Sequence, residues 1–465
     1  MSDSITSEKS SKGNSSQPST DTQTAGKPSA GKPAKKTTSR LSISEVAEGI
    51  RGKGHRFACG PEGGLYHYED GVYRPNGEKA VRREVLKLLK AKGYKEQWER
   101  RYAKEVIEWY LAESEDLPLI PDEDVVNLRN GMLNVVTREF YDHSPTYLSM
   151  IQLPVEYDPE ALCPVWEYFV DEVFPEGART VAWEIVAWTM TSWDRTQSAI
   201  LLVGGGSNGK SAFLEGLRTF LGRENTCALP LHRIEQDKFS AARLFGKLSN
   251  IHADIPAEKL SGTDTFKALT GGDAILGERK FKDSWEFVSF AKLLFSVWRV
   301  FQTDDSSHGF TRRWVPIPFT REFDKRTGMD PQVLKGMLSE PQELSGLLNK
   351  ALDVVVKFRE RRDFFPNATM AKAYEEFKRE ISPLRAVMEP MIEYSNYNHI
   401  PCGRAYERIK EECLATGCPV PTPEAVGKMM KMIFPRVMIG KRKDRFDEDR
   451  RKNAYLGVGW VVPKG

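Results

Sequence analysis

Ala199-Ile-Leu-Leu-Val-Gly-Gly-Gly-Ser-Asn-Gly-Lys-Ser211 decides the fold: an apolar run breaks into a glycine loop that ends in Gly-Lys-Ser. The stretch fits G-x-x-x-x-G-K-[ST], with Gly204 and Gly209 as the fixed glycines, then Lys210 and Ser211. Glycine lets successive backbone N–H groups turn inward at phosphate oxygens, and a helix beginning near Lys210 adds the positive end of its dipole. Lys210 is expected to reach the β and γ phosphates of a nucleoside triphosphate, and the Ser211 hydroxyl to ligand Mg²⁺. Phe213, Leu214, Leu217, Phe220 and Leu221 follow at helical spacing, so strand, loop and helix come in the required order. Gly204, Gly205, Gly206, Ser207, Asn208, Gly209, Lys210 and Ser211 are therefore the expected phosphate cradle. Such a loop does not by itself separate kinases, GTPases and motors, because one fold hosts many activities.

Composition sets broad limits around this loop. The chain has 465 residues, 40% hydrophobic and 29% charged, which suits a soluble protein of about three domains. No long uninterrupted apolar run predicts a membrane span, and residues 1–40 lack the apolar segment of a signal peptide. That start, rich in Ser, Thr, Lys, Gly and Pro, reads as a disordered, mildly basic tail. The six cysteines show no paired spacing, which fits a reducing compartment, and Cys402, Cys413 and Cys418 lack the spacing of a zinc site. A net charge of +3 is too small to argue for any partner.

The order of segments predicts a small α+β unit over 41–158, a helical linker region over 159–194, a P-loop core over 195–325, a helical connector over 326–364 and a last unit over 365–465. Within the first, Tyr66-His-Tyr68 and Gly71-Val-Tyr73 bracket a turn, and Asn130-Gly131 between apolar runs predicts a hairpin. In the last, two helices precede a basic stretch holding Lys441, Arg442 and Lys443, read as a loop between two strands. Two helices and a basic-tipped hairpin suit a winged-helix-like unit gripping DNA, with a merely solvated loop as the alternative.

Downstream of the cradle, Lys247-Leu-Ser-Asn-Ile-His-Ala-Asp254 reads as a strand ending in a carboxylate, where an acid would hold the metal beside Ser211. Two short strands, Ala274 to Glu278 and Trp285 to Val288, flank Arg279-Lys280-Phe281-Lys282. Cations with one aromatic at a hairpin tip suit contact with a nucleic-acid backbone and stacking on bases, although a solvated turn would look similar. Ala291-Lys-Leu-Leu-Phe-Ser296 is a further buried strand, and Phe310-Thr-Arg-Arg-Trp314 places Arg312 and Arg313 before another.

This ordered set resembles the superfamily 3 helicases of phage and plasmid primase-helicase proteins, which include the poxvirus-type primase-helicase ATPases. The resemblance extends upstream to Asn127-Leu-Arg-Asn-Gly-Met-Leu133, His143-Ser-Pro145 and Gln152-Leu-Pro-Val-Glu-Tyr-Asp-Pro159. It implies an α/β, AAA+-like P-loop ATPase core that uses ATP and Mg²⁺, assembles as a homo-oligomeric ring, usually a hexamer, and moves 3′ to 5′ on single-stranded DNA. Lys210 and the cradle carry over as Walker A, Asp254 as the Walker B acid, Arg279 to Lys282 as the pore hairpin and Arg313, or else Arg312, as the arginine finger. It also implies replication of a phage, plasmid or integrated element in a bacterial cytoplasm, with a primase or origin-binding protein as partner. No primer synthesis is expected, since only the tail and the small unit precede residue 125.

One position departs from the family. Where relatives carry an asparagine that polarises water and senses the γ-phosphate, this chain has Phe295-Ser-Val-Trp298, and indole offers one donor and no acceptor. Ser296 or Gln302 could substitute, and Glu258 could activate water. Hydrolysis is accordingly expected to be reduced. Three readings follow: a helicase ATPase, an ATP-gated DNA-binding initiator or clamp with weak or no hydrolysis, and a P-loop phosphotransferase for small molecules.

Overall fold

The computed structural model describes residues 41–256, 258–278, 284–303, 305, 307–323, 330–364, 367–444 and 447–461. The expected tail, residues 1–40, and the basic tip from Arg279 to Lys282 lie outside them. Walking along the core, the strands are β1 Ala199–Val203, β2 Thr226–Cys227, β3 Ser249–His252, β4 Ala274–Gly277, β5 Trp285–Val288, β6 Lys292–Val297 and β7 Trp314–Pro318. Five of them form one parallel sheet in the order β7-β1-β6-β3-β2, while β4 and β5 pair separately as an antiparallel hairpin. The sequence-read P-loop strand β1 thus lies between β6 and β7, the reversal of strand order at which parallel sheets bind ligands.

The strands read as continuous apolar runs because both faces of the sheet are covered. Ile200, Leu202, Leu294, Val315 and Ile317 enter one core, and Ala199, Leu201, Leu293, Phe295, Val297 and Trp314 enter the other. The first face is roofed by helices Pro164–Val173, Arg179–Thr189, Lys210–Leu221, Pro331–Leu338 and Pro341–Arg361. The second is covered by Leu231–Gln236, Asp264–Gly271 and the end of Ala368–Ile381. Residues 159–194 and 330–364, within the segments that read as linker and connector, therefore form much of one layer of the core. Two contacts tie these distant segments together. The buried Glu343 carboxylate accepts the N–H groups of Val165 (3.2 Å) and Trp166 (3.1 Å) at the start of Pro164–Val173, where a negative charge suits the helix dipole. A methyl group at Gly346 would meet the Leu162 carbonyl carbon at 2.2 Å, so the approach there needs glycine.

Lys292, in the buried motif strand, is only 1% exposed. Its ammonium donates to the carbonyls of Thr191 (3.0 Å), Ser192 (3.0 Å) and Phe290 (2.9 Å), fastening β6 to the turn after Arg179–Thr189. Burial pulls its pKa down to about 8. The charged form is thus disfavoured in the folded chain, which binds fewer protons than the unfolded chain between that value and the ordinary lysine range. Stability of the wild type relative to Lys292→Met is expected to rise by about 2 kcal/mol from pH 7 to pH 10. Denaturant titrations of both proteins at the two pH values check this, and an unchanged difference would contradict it.

The unit before the core contains two small antiparallel sheets, Phe57–Cys59, Leu65–Glu69 and Val72–Arg74, then Val125–Leu128, Gly131–Asn134 and Phe140–Tyr141, with helices Gly77–Ala91 and Arg100–Glu113 between them. The upstream motifs meet in one polar joint. Asn127 Nδ2 donates to the Gly71 carbonyl at 2.8 Å, its Oδ1 accepts from Gln152 Nε2 at 3.2 Å, and His143 Nε2 lies 3.1 Å from the same oxygen. The Gln152 carbonyl in turn accepts from Asn225 Nδ2 at 2.8 Å, joining this unit to the entry of β2.

After the core come β8 Ile392–Pro401, helices Cys402–Thr416 and Pro423–Ile433, β9 Met438–Asp444 and β10 Asp447–Trp460. The three strands form an antiparallel sheet in the order β8-β10-β9. Val426 and Met430 face its core, as their helical spacing predicts, and Cys413 is buried there too. The basic stretch is not a loop. Lys441, Arg442 and Lys443 lie on β9, opposite Asn453, Lys452 and Arg451 of β10. Strand pairing runs from Met438 opposite Leu456 to Asp444 opposite Asp447, and a charged stretch of this kind carries no hydrophobic pattern to reveal it.

Candidate nucleotide-binding site

The sheet register brings the motif residues to one edge. Val203 pairs with Val297 and with Pro318, and Phe295 with His252, so Gly204, Trp298, Phe319 and Asp254 all follow the carboxyl ends of adjacent strands. The loop between β1 and the following helix is held from two sides. A methyl group at Gly204 would meet the Phe319 carbonyl oxygen at 2.3 Å, and one at Gly209 (φ +89°) would meet Val173 Cγ1 at 2.6 Å. Asn208 Nδ2 donates to the Phe319 carbonyl at 3.2 Å, and Phe323 N–H donates to the Ser207 carbonyl at 2.8 Å. Ser207 itself adopts φ +54°, a left-handed conformation that costs a non-glycine residue free energy and persists where the surroundings enforce it.

Lys210 begins the helix and is 5% exposed. Its ammonium donates to the carbonyls of Gly204 (2.7 Å) and Gly205 (2.6 Å) and to Asn208 Oδ1 (3.0 Å). Burial lowers its pKa, and the charge of Asp254 opposes that shift. No side chain caps this helix, because its N-cap is Gly209, and Ser211 in the first turn is exposed. The arrangement leaves oriented N–H groups, one cation and one hydroxyl at a single spot, which is what a phosphate chain requires.

Asp254 lies two residues past β3 in a left-handed conformation, φ +55°. Its N–H donates to the Ser296 hydroxyl at 3.0 Å, and the Ile255 N–H donates to the Ser296 carbonyl at 2.9 Å. Ser296 is fully buried, so its hydroxyl positions Asp254 from beneath and does not replace the missing asparagine. Neither the Glu258 nor the Gln302 side chain makes a hydrogen bond among the described residues; both are exposed, and their carbonyls accept from His232 Nε2 (3.2 Å) and the Leu260 N–H (2.8 Å). Trp298 is 66% exposed, and its Nε1 is 3.8 Å from where a methyl group at Gly205 would sit. The Arg299 guanidinium carbon stands 4.9 Å from the centre of that indole ring. Arg299 escaped the sequence reading, and its only signal was adjacency to Trp298.

Arg312 and Arg313 precede β7, at the opposite edge of the sheet from the glycine loop. Arg312 is exposed and donates to Gln197 Oε1 at 2.8 Å. Arg313 is half-buried: it donates to the Gly309 carbonyl, and burial with the charge of Arg312 lowers its pKa against the pull of Asp273. The β4–β5 hairpin runs from Ala274 opposite Val288 to Gly277 opposite Trp285, directly after Gly271-Gly272-Asp273.

Fold and loop together define a P-loop-type α/β protein with a parallel five-stranded core. Residues 47–175 match the model of the family described as D5 N terminal like, and residues 202–313 that of a family of unknown function, DUF5906. The first match takes in the upstream motifs up to His143-Ser-Pro145 and Gln152 to Pro159, and the second takes in the phosphate loop, the Asp254 strand and the twin arginines, the segments whose motifs resemble the phage and plasmid primase-helicases. Among solved structures it is similar to the A form apo structure of the NrS-1 C terminal region, with a TM-score of 0.52 and 11% identity, over 89% of this chain and 98% of that one. A second structure of that region, residues 305–718, gives the same TM-score of 0.52 and 11% identity. At that identity the likeness concerns the fold.

Proposed function

We propose that the chain is an ATP-dependent DNA helicase of superfamily 3 that works as a ring of identical subunits, most often six, moving 3′ to 5′ along a single strand during replication of a mobile element. The observation that carries this reading is the separation of the cradle from the twin arginines. Lys210 and Asp254 converge at the carboxyl edge of the sheet, whereas Arg312 and Arg313 stand before β7, whose five residues span about 17 Å. Those arginines are a strand length from their own cradle, so a second copy is the natural recipient of a finger.

In this reading Lys210 would leave the loop carbonyls for the β and γ phosphates, and Ser211 and Asp254 would hold Mg²⁺. One hydroxyl and one carboxylate are oxygen donors of the kind that cation takes. When bound, the ion offsets phosphate charge. The finger neutralises charge on the transferred phosphoryl group, and hydrolysis at successive interfaces moves the hairpins carrying Arg279, Lys280, Phe281 and Lys282 along the strand. The sheet and helices of residues 392–460 support a winged-helix-like DNA contact. Arg442 and Lys452 stand in register on β9 and β10, so cations come from both strands of one ribbon, as a phosphate backbone would require. Exchanging Lys441, Arg442 and Lys443 for alanine is expected to weaken DNA affinity and lower its salt slope by roughly 0.9 per lost phosphate contact. Binding titrations at several salt concentrations measure both, and an unchanged slope would remove this role.

Trp298 favours one competing reading, an ATP-gated initiator or clamp with weak or no hydrolysis. No helix among the described residues is long and apolar enough to cross a membrane. Strand displacement on a forked DNA, assayed with ATP in a wild-type ring, tests the proposal. Ring assembly and DNA binding without displacement would favour the clamp.

A further inference from the structure

We propose that Trp298 and Arg299 together replace the missing asparagine, with the indole Nε1–H as the donor that meets the γ-phosphate and Arg299 as the residue that positions the ring. The inference deepens the nucleotide-hydrolysis reading above and rests on it.

Three observations carry it. Trp298 directly follows the central strand β6, which lies between the cradle strand and the Asp254 strand, so its place in the fold is beside the reacting phosphate. Lys210 binds the carbonyls of Gly204 and Gly205, which puts that end of the loop where the lysine meets the β and γ phosphates, and the indole nitrogen is 3.8 Å from the Cβ direction of Gly205. The nitrogen has no hydrogen-bond acceptor among the described residues, and on a side chain 66% exposed it is open to a ligand.

Arg299 supplies the rest. Its guanidinium stacks on the indole, with the carbon 4.9 Å from the ring centre, and has no carboxylate partner among the described residues. Both side chains are exposed. A stacked guanidinium limits the ring's rotation and adds positive charge on the side where phosphate charge develops. In hydrolysis a water oxygen bonds to the γ-phosphorus as that atom's bond to the β–γ bridging oxygen breaks. The electron pair leaves with ADP, one water proton stays on the released phosphate and the other passes to solvent. Trp298 contributes a single N–H to an equatorial oxygen throughout.

The test compares wild type, Trp298→Phe, Arg299→Ala, Arg299→Lys and Lys210→Ala as full-length chains with single-stranded DNA. Trp298→Phe keeps the ring and removes the donor, and the side chain's exposure makes a folding defect unnecessary. Its kcat is expected to fall on the order of a hundredfold with KM for ATP within about threefold, the size of one lost transition-state donor. Arg299→Ala is expected to lose roughly tenfold in kcat, with Arg299→Lys regaining part of it. Wild-type tryptophan emission should change with a non-hydrolysable ATP analogue and not with ADP, and Trp298→Phe should abolish the difference. Wild-type turnover in Trp298→Phe, or an emission change that survives it, overturns the proposal. A wild type indistinguishable from Lys210→Ala in nucleotide binding and turnover sinks the underlying P-loop reading, and the proposal with it.

Discussion

Lys210→Ala is expected to lower ATP turnover by roughly a thousandfold or more and to abolish strand displacement, while the chain remains folded. The reasoning starts from what the ammonium does in the structure. It is nearly buried, its pKa is lowered by that burial, and its partners are two loop carbonyls and the Asn208 amide oxygen. A cation held by neutral dipoles exchanges them readily for phosphate oxygens, which are charged acceptors and form stronger hydrogen bonds. Alanine removes the only lysine of the cradle and leaves the helix N-terminus to bind the phosphates alone. The loop itself stays clamped by Phe319, Phe323 and Val173, so near-native melting temperature with lost nucleotide affinity is the expected combination. Calorimetric ATP binding, phosphate release and a thermal melt measure the three parts. Turnover within tenfold of wild type would mean that this loop does not hold the fuel.

The arginines should behave as a shared property of two subunits. Substituting both Arg312 and Arg313 by alanine is expected to cost a thousandfold or more in turnover while leaving ATP binding close to wild type. Mixing that double variant with Lys210→Ala should then restore activity that neither has alone, because some interfaces combine an intact cradle with intact arginines. The single substitutions are expected to differ. Arg312 is exposed with one neutral partner, so Arg312→Ala should lose activity without loss of stability. Arg313 is half-buried against the Gly309 carbonyl and near Asp273, so Arg313→Ala should also lower the melting temperature. Turnover measured across mixing ratios gives the answer, and strict additivity of two inactive species would rule out a shared site.

The phosphate loop and the strands around it were legible because their signals are local. Glycines at fixed spacing, a lysine and an apolar run on each side fit into the twenty-three residues from Ala199 to Leu221, and the strand before Asp254 could be read the same way. What escaped depends on pairings between distant residues. Lys292 looked like one charge in a motif, and nothing nearby announced that carbonyls a hundred positions earlier would receive its ammonium. Asn127, His143 and Gln152 were recognisable as motif members, yet their meeting at one joint follows only from the fold. The helices at 164–189 and 341–361 read as connectors because their apolar faces find one another across more than 150 residues of intervening chain. The strand placement of Lys441 and Arg442 escaped for another reason: both side chains are exposed, and an exposed ribbon has no buried face to impose a pattern.

The split origin of that helical layer governs how the molecule can be dissected. A fragment cut at 195 and 325, the limits suggested by the motifs, would strip the roof from Ile200, Leu202, Leu294, Val315 and Ile317 and present a bare oily sheet to water. Such a piece should aggregate whatever its catalytic residues are worth. A usable minimal version has to begin ahead of Pro164 and run beyond Arg361, carrying the Glu343 clasp and its glycine neighbour with it.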